Sequence, residues 1–143
     1  MKSNTKTSRC REKGIQLVLL GSGLVAILIA ITILFAPTSF YSGYQIDVAN
    51  NATLLNELKA PAGALLVAGA LMLAGVFRAG LVSLSLTAAA VVYLSYGVSR
   101  AISFVVDGLP HEGMISAAGI ELLIGTICLL LLLQSRNSSQ SNN

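Results

Sequence analysis

Between Ile15 and Ala36 lie 22 consecutive residues without a charge, about the number an α-helix needs to cross a hydrocarbon layer of roughly 30 Å. Fourteen of them are Leu, Ile, Val or Phe; at roughly −0.3 to −0.6 kcal/mol apiece they favour insertion by several kcal/mol. The apolar core of a cleaved secretory signal is shorter, about 7 to 15 residues, and a small-residue cleavage site follows it. This run exceeds that length and has no good small-x-small site behind it, so it reads as a membrane span. The rest of the chain agrees: 55% of its residues are hydrophobic and only 10% charged, against roughly 25% charged in soluble domains.

Three further spans follow. Pro61 to Phe77 is an uncharged run of 17 residues ended by Arg78, too short to insert well alone. The good helix formers before it and the capping pair Asn50 and Asn51 extend this helix back to Ala52. Pro61 then lies inside it, where it cannot donate to the carbonyl of Glu57. A turn at Ala79 and Gly80 leads into a third span that reaches Val106 and contains Arg100. Asp107 to Gly113 has loop composition, and a fourth span runs from Met114 to Leu133 through Glu121.

The expected fold is therefore all-α: an integral membrane four-helix bundle with spans at about 15–36, 52–78, 80–106 and 114–134. A basic head, 1–14, precedes it. A polar tail rich in Ser, Asn and Gln, 135–143, follows and is expected to be disordered.

The net charge is +3, but its distribution points away from nucleic acid. Lys2, Lys6, Arg9, Arg11 and Lys13 crowd against the first span, which is how a cytoplasmic flank reads. With four spans, these five, Arg78 and Arg136 share one side, and Lys59 and Arg100 the other. Seven against two puts both termini in the cytoplasm. The segment 37–51 then faces outward, and its Phe40, Tyr41 and Tyr44 read as an interfacial aromatic belt. Cys10 and Cys128 have no metal spacing and sit too differently to pair, and Cys128 reads as an apolar filler.

Small residues recur every four positions at Ser22, Ala26 and Ala30, and again at Ala60, Ala64 and Ala68. Such stripes let helices approach closely in lipid, where no hydrophobic effect drives them together.

The ionisable residues inside the spans carry the most information, since each costs roughly 2.5 to 3.5 kcal/mol at mid-bilayer on insertion scales. Counted at about 1.5 Å per residue, Glu57, Arg100 and Glu121 lie at similar depths, about 8 to 10 Å below the outer surface. Glu121 shares a helical stripe with Ala117, Ala118, Gly125 and Cys128. Arg100 shares one with Tyr93, Tyr96, Gly97 and Ser103. Both faces are expected to turn inward, forming a cluster of Glu57 and Glu121 around Arg100 with Lys59, Asp107, His111 and Tyr96 nearer the surface. A guanidinium can bridge two carboxylates through its fork of donors. Such a cluster acts either as a structural clasp or as a small polar pocket for a proton, an ion or a polar ligand.

Asn56-Glu57-Leu58-Lys59-Ala60, Arg100-Ala101-Ile102-Ser103 with the following Asp107-Gly108, and Glu121 together resemble the DUF4345 family of small bacterial integral membrane proteins. That family carries Asn-Glu-Leu-Arg-Ala and Gly-Arg-x-x-Ser…Asp-Gly signatures. The resemblance covers about residues 15 to 134. Lys59 stands where the family has Arg, Ser99 where it has Gly, and Pro61-Ala62-Gly63 replaces a Gly-richer entry. The resemblance implies a single four-span domain in a bacterial inner membrane and brings no activity with it.

No metal-spaced His/Cys set, nucleophile–base pair, phosphate loop or nucleotide fingerprint appears in the chain. The expected function is that of a non-catalytic accessory or structural component without cofactor or metal, whose partners are the lipid bilayer, a second copy of itself or another membrane protein. The alternative is a small transporter or channel-like protein using Glu57, Arg100 and Glu121; a redox or lipid-modifying enzyme is a weaker third reading.

Overall fold

A computed structural model of the chain describes residues 4–140, with side chains over 11–135. Lys2 and the last three residues lie outside the described residues, as do the side chains of Lys6, Arg9, Cys10 and Arg136. Five α-helices follow in order: α1 (Asn4–Phe35), the short α2 (Pro37–Ser42), α3 (Ala52–Phe77), α4 (Val82–Val106) and α5 (Glu112–Gln140), with a 3₁₀ turn at Ala79–Leu81 joining α3 to α4. Among the described residues there is no strand. The four long helices contain segments long and apolar enough to cross a membrane, at Arg11–Phe35, Ala52–Phe77, Ala79–Val106 and Glu112–Ser135. Their outer faces carry large apolar side chains in the open, among them Leu17, Leu28, Val67, Val91, Ile102 and Leu123.

Local chemistry sets the boundaries. Pro37 occupies the first turn of α2, where its missing N–H is no loss. The side chain of Asn51 accepts from the Leu54 amide at 2.9 Å and caps α3, while Asn50 takes the left-handed backbone (φ 60°) that asparagine tolerates. The tail expected to be disordered from 135 is helical as far as Gln140: extending a formed helix avoids the nucleation step that makes isolated helices rare.

The helices alternate in direction, so both termini lie at one end of the bundle and α2 at the other. α1 packs extensively on α3 and α4 on α5, the two hairpins meet through α3 and α4, and α1 touches α5 only sparingly. Close approach within the first hairpin depends on Gly23 and Gly69. A Cβ on Gly69 would stand 3.0 Å from the Gly23 carbonyl oxygen and 2.8 Å from Cγ1 of Ile27, so only glycine lets these backbones meet. Two hydrogen bonds tie the hairpins together: Tyr93 donates to the Ser22 carbonyl at 2.7 Å, and Ser85 to the Leu71 carbonyl at 2.7 Å.

Of the two small-residue stripes, one lies in the interface and the other reaches it only at Ala68, which packs half-buried against the core. Ser22, Ala26 and Ala30 are buried. On α3, Ala60 and Ala64 are exposed, and the packed face is the neighbouring stripe of Ala62, Leu65, Gly69, Met72 and Gly75. Alanine is equally at home against lipid and against a helix, so spacing alone does not choose between two adjacent stripes.

Candidate functional site

At the α2 end the four long helices surround a cavity of about 220 Å³. α1 lines it with Ala26, Ile29 and Ile33, and α3 with Leu58, Pro61, Ala62 and Leu65. Val92, Tyr93, Tyr96 and Arg100 of α4 face Met114, Ala117 and Glu121 of α5 across it. Phe40 and Tyr41 of α2, with Tyr44 just beyond, complete the wall.

Arg100 and Glu121 meet here. The Arg100 Nε donates to both carboxylate oxygens of Glu121, at 3.0 Å to Oε2 and 3.3 Å to Oε1. Their side chains are 32% and 16% exposed, so the pair is half-buried rather than sealed in a core. Glycine sets the distance between their helices. A Cβ on Gly97 would collide with the side chain of Leu122 and one on Gly125 with Leu94, so α4 and α5 approach closely just one turn beyond the pair. The two terminal nitrogens of the Arg100 guanidinium donate to no described residue. That leaves the end-on edge of the fork, the edge suited to two oxygens of one planar group.

The aromatic residues close over this pair. Phe40 packs edge-on against Tyr41 and Tyr44, and Tyr44 against His111 with ring centroids 6.0 Å apart. Tyr44 fits the notch at Gly113, where a Cβ would come within 3.0 Å of its ring. Burial raises the Tyr41 hydroxyl above its ordinary pKa, only partly offset by the charge of Arg100, so Tyr41 remains a neutral donor. The hydroxyls of Tyr41, Tyr44 and Tyr96 have no hydrogen-bond partner among the described residues, whereas Tyr93 spends its own on Ser22. The cavity thus combines an apolar floor, a salt-bridged pair and a surplus of donors.

The expected cluster forms only in part. Arg100, Glu121 and Tyr96 come together. Glu57 does not join them: it is exposed on the first turns of α3 and absent from the cavity wall. It stands one residue, about 100° of rotation, from Leu58, which is the residue that turns inward, and so close to the helix start its carboxylate reaches water. Lys59 is half-exposed, forms no ion pair with a described residue and does not line the cavity. Asp107 is exposed at the end of α4 and accepts from the Ser103 hydroxyl at 2.8 Å. His111 is exposed at the rim, its Nδ1 accepting from the Gly113 amide at 3.1 Å. Among the described residues no charged side chain is fully buried, because the charges sit where the bundle opens.

Phe40, Tyr41 and Tyr44 are the wall residues that their reading as an interfacial belt missed. The signal lay in Pro37, which starts a short helix carrying Phe40 and Tyr41.

No curated protein and no solved structure matches this chain. Residues 14–132 match the model of a domain of unknown function, DUF4345, which takes in the greater part of all four long helices and every residue lining the cavity, and the chain belongs to that family.

Proposed function

We propose that this is an integral protein of a bacterial inner membrane, with both termini cytoplasmic and no chemistry of its own, which holds a small polar molecule in the cavity at the outer end of its bundle. The orientation rests on seven Lys and Arg against two, the insertion on four apolar helices whose large side chains face outward. One observation carries the binding role: a half-buried Arg100 with two unused donor nitrogens lines a largely apolar cavity together with three tyrosines whose hydroxyls have no partner among the described residues. A clasp serving stability alone would use that fork on protein acceptors. A channel is less well supported, because the other end of the bundle is closed by apolar packing, with Leu19, Met72, Leu86 and Cys128 fully buried.

Gentle extraction and native mass spectrometry test the binding role. The wild-type protein is expected to retain a small bound species that Arg100→Gln loses at unchanged helix content. Finding none on the wild type, and a sustained solute flux in proteoliposomes instead, would replace the binding role with transport. Orientation is tested in a Cys10→Ser, Cys128→Ala background. Ser42→Cys should react with an impermeant maleimide from outside intact cells and Gly80→Cys should not; the reverse pattern inverts the topology.

A further inference from the structure

We propose that the cavity recognises a carboxylate attached to an apolar body, the carboxylate taken by the end-on edge of Arg100 and the apolar carbons next to it by the aliphatic walls of the cavity. This rests on the binding role above and names its ligand class. Three observations converge.

The first is the donor count. Glu121 engages Arg100 through Nε alone, so both terminal nitrogens, with the Tyr41 and Tyr96 hydroxyls beside them, can donate. Donors in excess call for a ligand rich in acceptors. Two parallel N–H groups in one plane match the two oxygens of a carboxylate.

The second is charge. Arg100 and Glu121 already cancel, so a ligand brings its own charge into a half-buried place next to a carboxylate. Like charges sharing a site repel; a carboxylate adds one negative charge, a phosphate dianion two. The guanidinium between Glu121 and the ligand screens one charge from the other.

The third is volume. A cavity of about 150 Å³ holds benzene, and this one measures about 220 Å³, room for a ring-sized group and a carboxyl. Ile29, Ile33, Leu65, Val92 and Met114 offer the ring no polar partner, so the ligand is an acid with an apolar body rather than a sugar acid or an amino acid. Such an acid reaches the cavity from water as a free small acid, or from the bilayer as the head of a fatty acid.

The composition supplies a reporter. The chain has four tyrosines and no tryptophan, and all four tyrosines line the cavity, so ultraviolet emission of the detergent-solubilised full chain reads this place alone. Cyclohexanecarboxylate and cyclohexylmethanol, transparent at the excitation wavelength, differ in the carboxylate. The acid is expected to change the emission saturably and to bind about tenfold or more tighter than the alcohol, the advantage of charge-assisted over neutral hydrogen bonds. Arg100→Gln is expected to abolish that preference while leaving alcohol binding in place, and Arg100→Lys, which keeps the charge without the fork, to weaken acid binding several-fold. Oleate mixed into the micelles separates the sources: displacement of the cyclohexane acid points to a bilayer fatty acid, and failure to displace it to an aqueous one, both within the class. Equal binding of acid and alcohol by the wild type, or an acid preference that survives Arg100→Gln, overturns the carboxylate and leaves the binding role standing. No response to either compound overturns the ligand class; a bound species still retained by the wild type in native mass spectrometry then leaves the binding role standing, and none retained overturns that role as well.

Discussion

The two ends of the bundle are made by the same four helices and are filled differently. Toward the termini, Ile15 and Leu19 of α1, Met72 of α3, Leu86, Ala89, Ala90 and Tyr93 of α4, and Cys128 and Leu132 of α5 form one buried cluster. Toward α2 the contiguous buried cluster shrinks to Ala26, Ala30 and Leu65, with Ile33, Val48, Ala62 and Ala118 buried outside it, and the cavity occupies the space between. On the proposed insertion into a bilayer the helices gain nothing from hiding apolar surface, and they close only where side chains interlock. At the termini end, methyl groups and small residues interlock across every interface. At the α2 end, α4 and α5 line the cavity with Arg100, Tyr96 and Glu121 instead.

That contrast can be broken. Leu86 is fully buried in the termini-end core, and Leu86→Ala is expected to lower stability by about 2 kcal/mol. This is the low end of the range for such truncations, because lipid also solvates leucine on separated helices and only the packing is lost. Unfolding in mixed micelles measures it; a change near zero would make the two ends equivalent. The ion pair comes next. Glu121→Gln and Arg100→Gln should each cost about 1 kcal/mol, less than for a sealed pair because both side chains reach solvent. The double variant should cost less than the sum of the singles, and strict additivity would show that the two charges do not cooperate. Glu57→Gln should have the smallest effect, within about 0.5 kcal/mol in stability and none on ligand binding. An effect as large as that of Glu121→Gln would return Glu57 to the cluster.

Depth along a helix is legible from sequence because it is counted in residues. Arg100 and Glu121, 21 positions apart on consecutive antiparallel helices, come to the same level and pair. Direction around a helix is less legible. The stripe of Glu121 is marked by Ala118, Gly125 and Cys128, small residues that are all buried. The helix carrying Glu57 has small residues on two adjacent stripes, and the sequence offers no reason to prefer Ala62 and Gly69 over Ala60 and Ala64. The aromatic cap was hidden for a different cause. Its ordering comes from contacts distant in sequence, such as Tyr44 with His111 and Gly113, and a local pattern of aromatics next to a span fits a membrane interface equally well.

By itself the amino-acid sequence determined that this chain makes four helices of bilayer length, that Arg100 and Glu121 come to one level, and to which family the chain belongs, since length, hydropathy and motif are local and additive along the chain. The tertiary structure alone decided that one carboxylate faces Arg100 and another faces water, and that three aromatic residues roof a cavity. Those outcomes turn on which faces interlock, and that depends on all the helices at once.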